Sequence, residues 1–305
     1  MLSSNLCLID DTLKALKKLL SDVNNALVDD WDPIELGLLF SKLEYEDLDM
    51  ESFRKQFKSL VEEIRSEIPT EKSFREQTQH LSEAFSKKLG FSGDSTNYYN
   101  LKNSFLSDVI TRRKGIPISM SLLFMGFCRE LGLKAVGISF PGHFLVKVMP
   151  STGHFDRSHN REVVNDWAEQ WFVDAFDQGK ILTQKDCEKR LQDWTRGLIP
   201  FSQDVFRVAH PVDIVSRMAR NLRAILMEKE DLARLYWVLS TLIEVCPQEK
   251  IESFKDRGVL LARVGRYAQA RGDFNEYLRL SDDPRKKAQV EGLLRFLENQ
   301  VELPN

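Results

Sequence analysis

Hydrophobic residues between positions 13 and 89 recur at three- and four-residue spacings, the period of helices that bury one face. Leu13, Leu16, Leu19 and Leu20 form one such stripe, and Phe53, Phe57, Leu60, Val61 and Ile64 form another. Asp29 or Asp32 ahead of Pro33 reads as a helix start leading into Ile34, Leu36, Leu38, Leu39 and Leu43. Proline suits that first turn because its φ is already helical and its missing N–H has no partner there anyway. A turn at 69–72 precedes a further helix over 74–89.

The pattern changes in the middle of the chain. A short helix over 104–113 runs into RRKGIPIS at 112–119, where Gly115 ends one element and Pro117 sits in the first turn of the next. That helix continues to 131, with Leu123, Phe127 and Leu131 on one side, until Gly132 stops it. Residues 135–140 read as a strand, Pro141-Gly142 as a turn or bulge, and 144–149 as a second extended run. Residues 171–176 give a third strand, and the polar stretch 151–169, with His154 and His159, reads as an exposed excursion.

Helical periodicity returns over 215–228, 231–246, 251–264, 267–279 and 284–299. Gly265, Tyr267, Ala270, Phe274, Tyr277 and Leu278 have the small/large spacing of the second helix of a tetratricopeptide repeat, and Gly258 supplies the small residue of the first. The unit upstream, 216–249, is degenerate, with Leu235 where the repeat has a small residue. Such helices form a layer that needs neighbours to stack on.

Composition narrows the class. The chain has 305 residues, 42% hydrophobic and 29% charged, with 15 Gly and 10 Pro, which predicts a substantial core and excludes collagen-like, mucin-like and wholly disordered chains. Forty-three basic against 46 acidic residues leave a charge of -3, so no net preference for nucleic acid follows. Four cysteines, at 7, 128, 187 and 246, have neither CxxC spacing nor a close His partner, so neither a disulfide scaffold nor a zinc site is expected. No apolar run reaches the roughly 20 residues that cross a bilayer. The N-terminus has no basic leader and turns acidic at once, which predicts the cytoplasm.

Four blocks carry a family resemblance: NYYNLKNSFL at 97–106, RRKGIPIS, Leu131-Gly132, and FPGHFLVKV at 140–148. In this order and separation they resemble the SirB-type bacterial proteins, over about 32–299. WFVDAFDQGKIL at 171–182 resembles that family's third block, with Ala175 in place of its proline and Gln178 in place of its first glycine. The resemblance implies an α+β fold: a transglutaminase-like (papain-like) core over 96–200, a helical N-terminal region over 1–95, and a tetratricopeptide-like helical layer over 214–299.

In the wider transglutaminase-like superfamily a Cys at a helix start is the nucleophile, a His on the next strand is the base, and an Asp orients the His. By motif order this implies His143 and Asp174, with Ser119 near the nucleophile position. The missing thiol matters, because a serine hydroxyl is far harder to deprotonate. Three readings stay open: a Ser119–His143–Asp174 hydrolytic triad acting on peptide or isopeptide amides, an inherited hydrogen-bond network, or a pocket that binds without turnover. The triad requires Ser119 within about 2.6–3.2 Å of His143.

Tyr99 and Asn103 are pocket-wall or network candidates near the same site, and Phe140 and Phe144 flank His143 as wall or core. Cys128, between Phe127 and Leu131, reads as a silent core cysteine, and Cys187 needs no chemical role. Arg112, Arg113 and Lys114 read as a solvated helix end rather than a phosphate-binding patch. His154, Asp156 and His159 define no metal ligand set, and neither GxxxxGK[ST] nor GxGxxG occurs, so no cofactor is expected. The preferred expectation is a protein- or peptide-binding regulatory module on a degenerate transglutaminase-like fold.

Overall fold

The structure, a computed structural model, describes residues 5–25, 31–149, 155–156, 161–162 and 171–301. Four helices come first: α1 (Asn5–Asn25), α2 (Pro33–Lys42), α3 (Met50–Arg65) and α4 (Phe74–Glu83), the last running on into a π-helical turn at Ala84–Lys88. The middle region contains β1 (Ser92–Gly93), α5 (Leu106–Arg112), β2 (Lys114–Gly115), α6 (Pro117–Glu130), β3 (Lys134–Ile138) and β4 (Leu145–Met149). It continues through β5 (Phe155–Asp156), β6 (Arg161–Glu162), β7 (Trp171–Asp174), β8 (Lys180–Leu182) and α7 (Gln184–Thr195). Helices α8 (Pro211–Glu228), α9 (Leu232–Val245), α10 (Lys250–Arg263), α11 (Tyr267–Leu280) and α12 (Pro284–Val301) follow. No helix among the described residues is long and apolar enough to cross a membrane.

Two compact units emerge, one spanning residues 18–214 and the other joining α1 up to Lys17 with the helices after Ile214. The expected boundary at 95/96 therefore does not separate compact bodies. Helices α2–α4 share one core with the sheet, because α6 is buried at every residue from Pro117 to Cys128. A helix apolar all round must be enclosed on all sides. On one flank Gly126 leaves no room for a Cβ, which would meet Ile34 Cδ1 at 2.4 Å. Phe127 there meets Phe57 and Phe85 edge-on at centroid distances of 5.0 and 5.8 Å.

The sheet supplies another flank. Its order is β3-β4-β7-β8, antiparallel throughout, with Val136 opposite Lys147, Val146 opposite Val173, and Val173 opposite Ile181. The chain at 207–209 adds to the outer edge of β3, where Ala209 N–H donates to the Gly137 carbonyl at 2.8 Å. A cluster of Ile138, Phe140, Phe172, Cys187, Leu191 and Val205 packs around this sheet, and Phe172 and Phe206 stack at 4.5 Å. Phe140 is thus a core residue, 1% exposed, and not a pocket wall. Phe144, also 1% exposed, lays its ring where a Cβ on Gly137 would stand, so it too is core. Cys187, expected to be a bystander in a charged helix start, is fully buried in the same cluster.

The second unit is held by repeat-type packing of α10 against α11. A Cβ on Gly258 would meet the Phe274 ring at 2.5 Å, which explains the small residue at that position. Arg257 grips Asp273 through two bonds of 2.8 Å and donates to Ser240 Oγ at 3.0 Å, tying α9, α10 and α11 together.

Gly258→Ala should lower the urea-unfolding stability of this unit by about 1–3 kcal/mol, because the Phe274 ring cannot yield without losing its own packing. Gly272→Ala, on α11 with nothing within 4 Å of its new methyl, should be neutral or stabilising. Equal effects of the two substitutions would contradict this packing.

Candidate functional site

Local geometry delivers His143 to the start of β4. Phe140-Pro141-Gly142-His143 closes with His143 N–H donating to the Phe140 carbonyl at 3.0 Å, and Gly142 has φ +72°. That is the type II turn that proline at the second position and glycine at the third favour. The register of Val146 opposite Val173 brings Asp174, the last residue of β7, alongside. His143 Nε2 and Asp174 Oδ1 are 2.9 Å apart.

Asp174 is 1% exposed and surrounded by donors. Its Oδ1 accepts the backbone N–H groups of Phe176 at 3.2 Å and Asp177 at 3.0 Å. Its Oδ2 pairs with Arg190 from α7, which also reaches Asp177 at 2.8 Å. Burial alone would raise the carboxyl pKa. The hydrogen bond and charge of His143, the Asp177 N–H and the Arg190 guanidinium outweigh it and hold the group below the usual carboxylate range. Arg190 and Phe176 were not singled out from the sequence: nothing in chain order places residue 190 against 174, and only the folded turn does so.

Ser119 is not part of this arrangement. α6 starts at Pro117, which puts Ser119 in the third helical position. There its hydroxyl donates to the Asn103 carbonyl at 2.6 Å and accepts the Ile116 N–H at 3.1 Å. This is half of a capping box, since Ile116 has no side-chain acceptor to return the bond. Ser121, two residues or about 200° further round the helix, donates to the Phe144 carbonyl at 3.3 Å, next to His143. The expected Ser119–His143 contact gives way to a buried cap at Ser119.

The remaining candidates divide. Asn103 is fully buried; it donates to the Asn97 carbonyl at 2.8 Å and accepts from Arg112 at 2.9 Å, so it is a network residue and not a pocket wall. Tyr99 is 66% exposed and sits at the outer end of an aromatic chain. That chain runs through Tyr98 and Phe176 to His143, with edge-on centroid distances of 5.4, 6.0 and 6.0 Å.

The basic run at 112–114 is not a solvated helix end. Arg112 also meets Asp94 at 3.5 Å, the Arg113 guanidinium lies 4.5 Å over the Phe91 ring, and Lys114 donates to Ser92 Oγ at 2.6 Å. Cys128 is fully buried, and desolvation pushes its thiol far above the ordinary range. Burial likewise pushes the Cys187 thiol up to about 12. No metal-binding cluster of His, Cys, Asp or Glu exists among the described residues. His154, His159 and the Cys7 side chain lie outside them. A cleft of about 240 Å³ lined by Trp31, Met125, Arg129 and Lys134 lies at the other end of α6 from the His–Asp pair.

A His–Asp pair at the end of two antiparallel strands, beside the start of a buried helix, is the arrangement of the transglutaminase-like fold, and sequence comparison agrees. The family model described as transglutaminase-like superfamily matches residues 51–220, and one described as tetratricopeptide repeat matches 222–295. The chain belongs to the transglutaminase-like superfamily, with a tetratricopeptide-like region after that domain. A UPF0162 protein of Xylella fastidiosa (strain 9a5c) is 28% identical over 267 residues, 87% of this chain and 89% of its own. UPF0162 protein PM0557 of Pasteurella multocida is 25% identical over 260 residues, 84% of this chain and 89% of its own. F-box only protein 21 of Mus musculus is 32% identical over 152 residues, half of this chain and 22% of that protein. No solved structure matches significantly.

Asp174→Asn should cost about 2–3 kcal/mol of stability at pH 7. A carboxyl held low in the folded state contributes above its unfolded pKa of about 3.9 and loses that contribution as pH falls through the lower folded value. The stability gap between Asp174→Asn and the parent should therefore close below about pH 4. A gap that stayed constant down to acid pH would show that Asp174 does not act as a buried charge.

Proposed function

We propose that this chain is a protein- or peptide-binding regulatory module. In this reading a transglutaminase-like fold keeps its His–Asp pair as a structural element, with no nucleophile beside it among the described residues. The observation that carries it is the first turn of α6, where the buried Ser119 hydroxyl gives its proton to the Asn103 carbonyl and accepts the Ile116 N–H instead of meeting His143. A nucleophile needs a base within hydrogen-bond reach, and a fully buried cap residue has none available. The tetratricopeptide-like region supplies the complementary half, because stacked helical pairs present extended surfaces suited to protein partners. The SirB-type resemblance fits the same reading, since its blocks include the turn that holds His143 and the start of α6. The competing hydrolase reading rests on the intact His143–Asp174 bond alone.

Fluorophosphonate and iodoacetamide probes on the native protein separate the two. No site should label in a way that depends on both His143 and the native fold. Cys128, Cys187 and Cys246 should alkylate only after unfolding, since all three are buried. Labelling of Ser119 that disappears in His143→Ala would establish the hydrolase instead.

A further inference from the structure

The cleft of about 240 Å³ at the far end of α6 is closed by the first turn of α2 and by the paired ends of β3 and β4, where Lys134 stands opposite Met149. Its apolar wall is nearly shut off from bulk water: Met125 and Met149 are 3% exposed, Val136 6% and Trp31 9%. Trp31 is held there by the helix start that follows it, since Asp32 accepts the Ile34 N–H at 2.8 Å and Pro33 opens the first turn. Met125 and Arg129 are four residues apart on α6, so a thioether and a guanidinium share one face of the helix.

Two cations line this cleft, Arg129 and Lys134, and among the described residues no carboxylate does. The last carbonyls of α6, on Phe127, Cys128 and Arg129, already accept the N–H groups of residues 131–133. Arg129 donates to the Trp31 carbonyl at 3.5 Å. A guanidinium has five N–H donors and an ammonium three, so each can take a ligand oxygen beside the contacts it already makes.

An indole and two thioethers are surfaces on which an aromatic ring packs better than an alkyl chain, because ring–ring and sulfur–ring contacts add to simple burial. The volume exceeds the roughly 150 Å³ cavity that takes one benzene ring, which leaves room for an acidic group on a short arm. We infer that this cleft binds a small, free aromatic carboxylate, its ring between Trp31, Met125 and Met149 and its carboxylate on Arg129 and Lys134. The planar guanidinium pairs with a carboxylate through two parallel bonds, which orients the ligand as well as holding it. A hollow whose apolar wall is this little exposed takes in a whole small molecule, whereas a polypeptide needs a groove to run along. The site lies within the 18–214 unit and uses neither His143 nor the helical repeats, so it adds a ligand to the reading above without depending on it.

The full chain, labelled with 13C-methyl methionine, is titrated with phenylacetate, phenylacetamide and octanoate. The Met125 and Met149 methyl signals, assigned with Met125→Leu and Met149→Leu, are followed by NMR. A ring seated between the two sulfurs gives both methyls a ring-current shift that an alkyl chain cannot produce. The expected result is a saturable shift of both signals with phenylacetate, about tenfold weaker binding of the amide, and weaker binding still of octanoate. Arg129→Gln should weaken phenylacetate about tenfold and leave phenylacetamide unchanged, and the unliganded methionine spectrum reports whether the variant is folded. Lys134→Gln carries the same comparison from the sheet side. Equal affinity for acid and amide, preference for octanoate, or Met125 and Met149 signals that do not move would each overturn the assignment.

Discussion

The burial of α6 is the constraint on which the transglutaminase-like unit depends. With every residue from Pro117 to Cys128 out of solvent, the helix has no polar face to turn outward, so helices and sheet must surround it. Small residues decide how closely they come: Gly126 admits Ile34, and Gly137 admits the Phe144 ring that lies over the same helix. The two serines near its start are then forced into internal hydrogen bonds, because a buried hydroxyl without a partner is costly. Ser119 takes the Asn103 carbonyl and Ser121 the Phe144 carbonyl. The helix that would carry a nucleophile is in this chain wholly committed to packing and to satisfying its own polar atoms.

Asp174 plays the matching part on the sheet side. A carboxylate this deeply buried is tolerated only because four donors meet it from three pieces of chain: the 140–143 turn, the backbone after β7, which gives two, and α7. The result locks the β7–β8 turn, the His143 loop and α7 to one point. This gives the His–Asp pair a reason to exist without catalysis, since removing either partner strands buried charge or leaves a buried acceptor unfilled.

Much of the fold was legible from spacing. The C-terminal helices fall within four residues of their expected starts, and GIPIS and Pro-Gly mark the start of α6 and the turn that aims His143. The strands are shorter than expected at 135–140 and 171–176, because β3 gives way to the turn at 140–143 and β7 ends where Asp174 accepts the N–H groups of its own turn. The short β1, β2 and β8 left no periodic signal.

The site was half legible. His143 and Asp174 followed from motif order. Ser119 misled because motif order gives only the neighbourhood of the nucleophile position: in the third position of α6 its hydroxyl is held by the Asn103 carbonyl and the Ile116 N–H. The partners Arg190, Arg112 and Phe176 depend on contacts between elements distant in sequence, which no local pattern encodes. The most direct test of the account is to place a thiol at residue 119 and measure its alkylation rate against pH. Ser119→Cys, as buried as the hydroxyl it replaces, should stay unreactive in the folded protein whether or not His143→Ala is present. A Ser119→Cys that reacts in the native fold with an apparent pKa well below about 8.5, and loses that reactivity with His143→Ala, would contradict it.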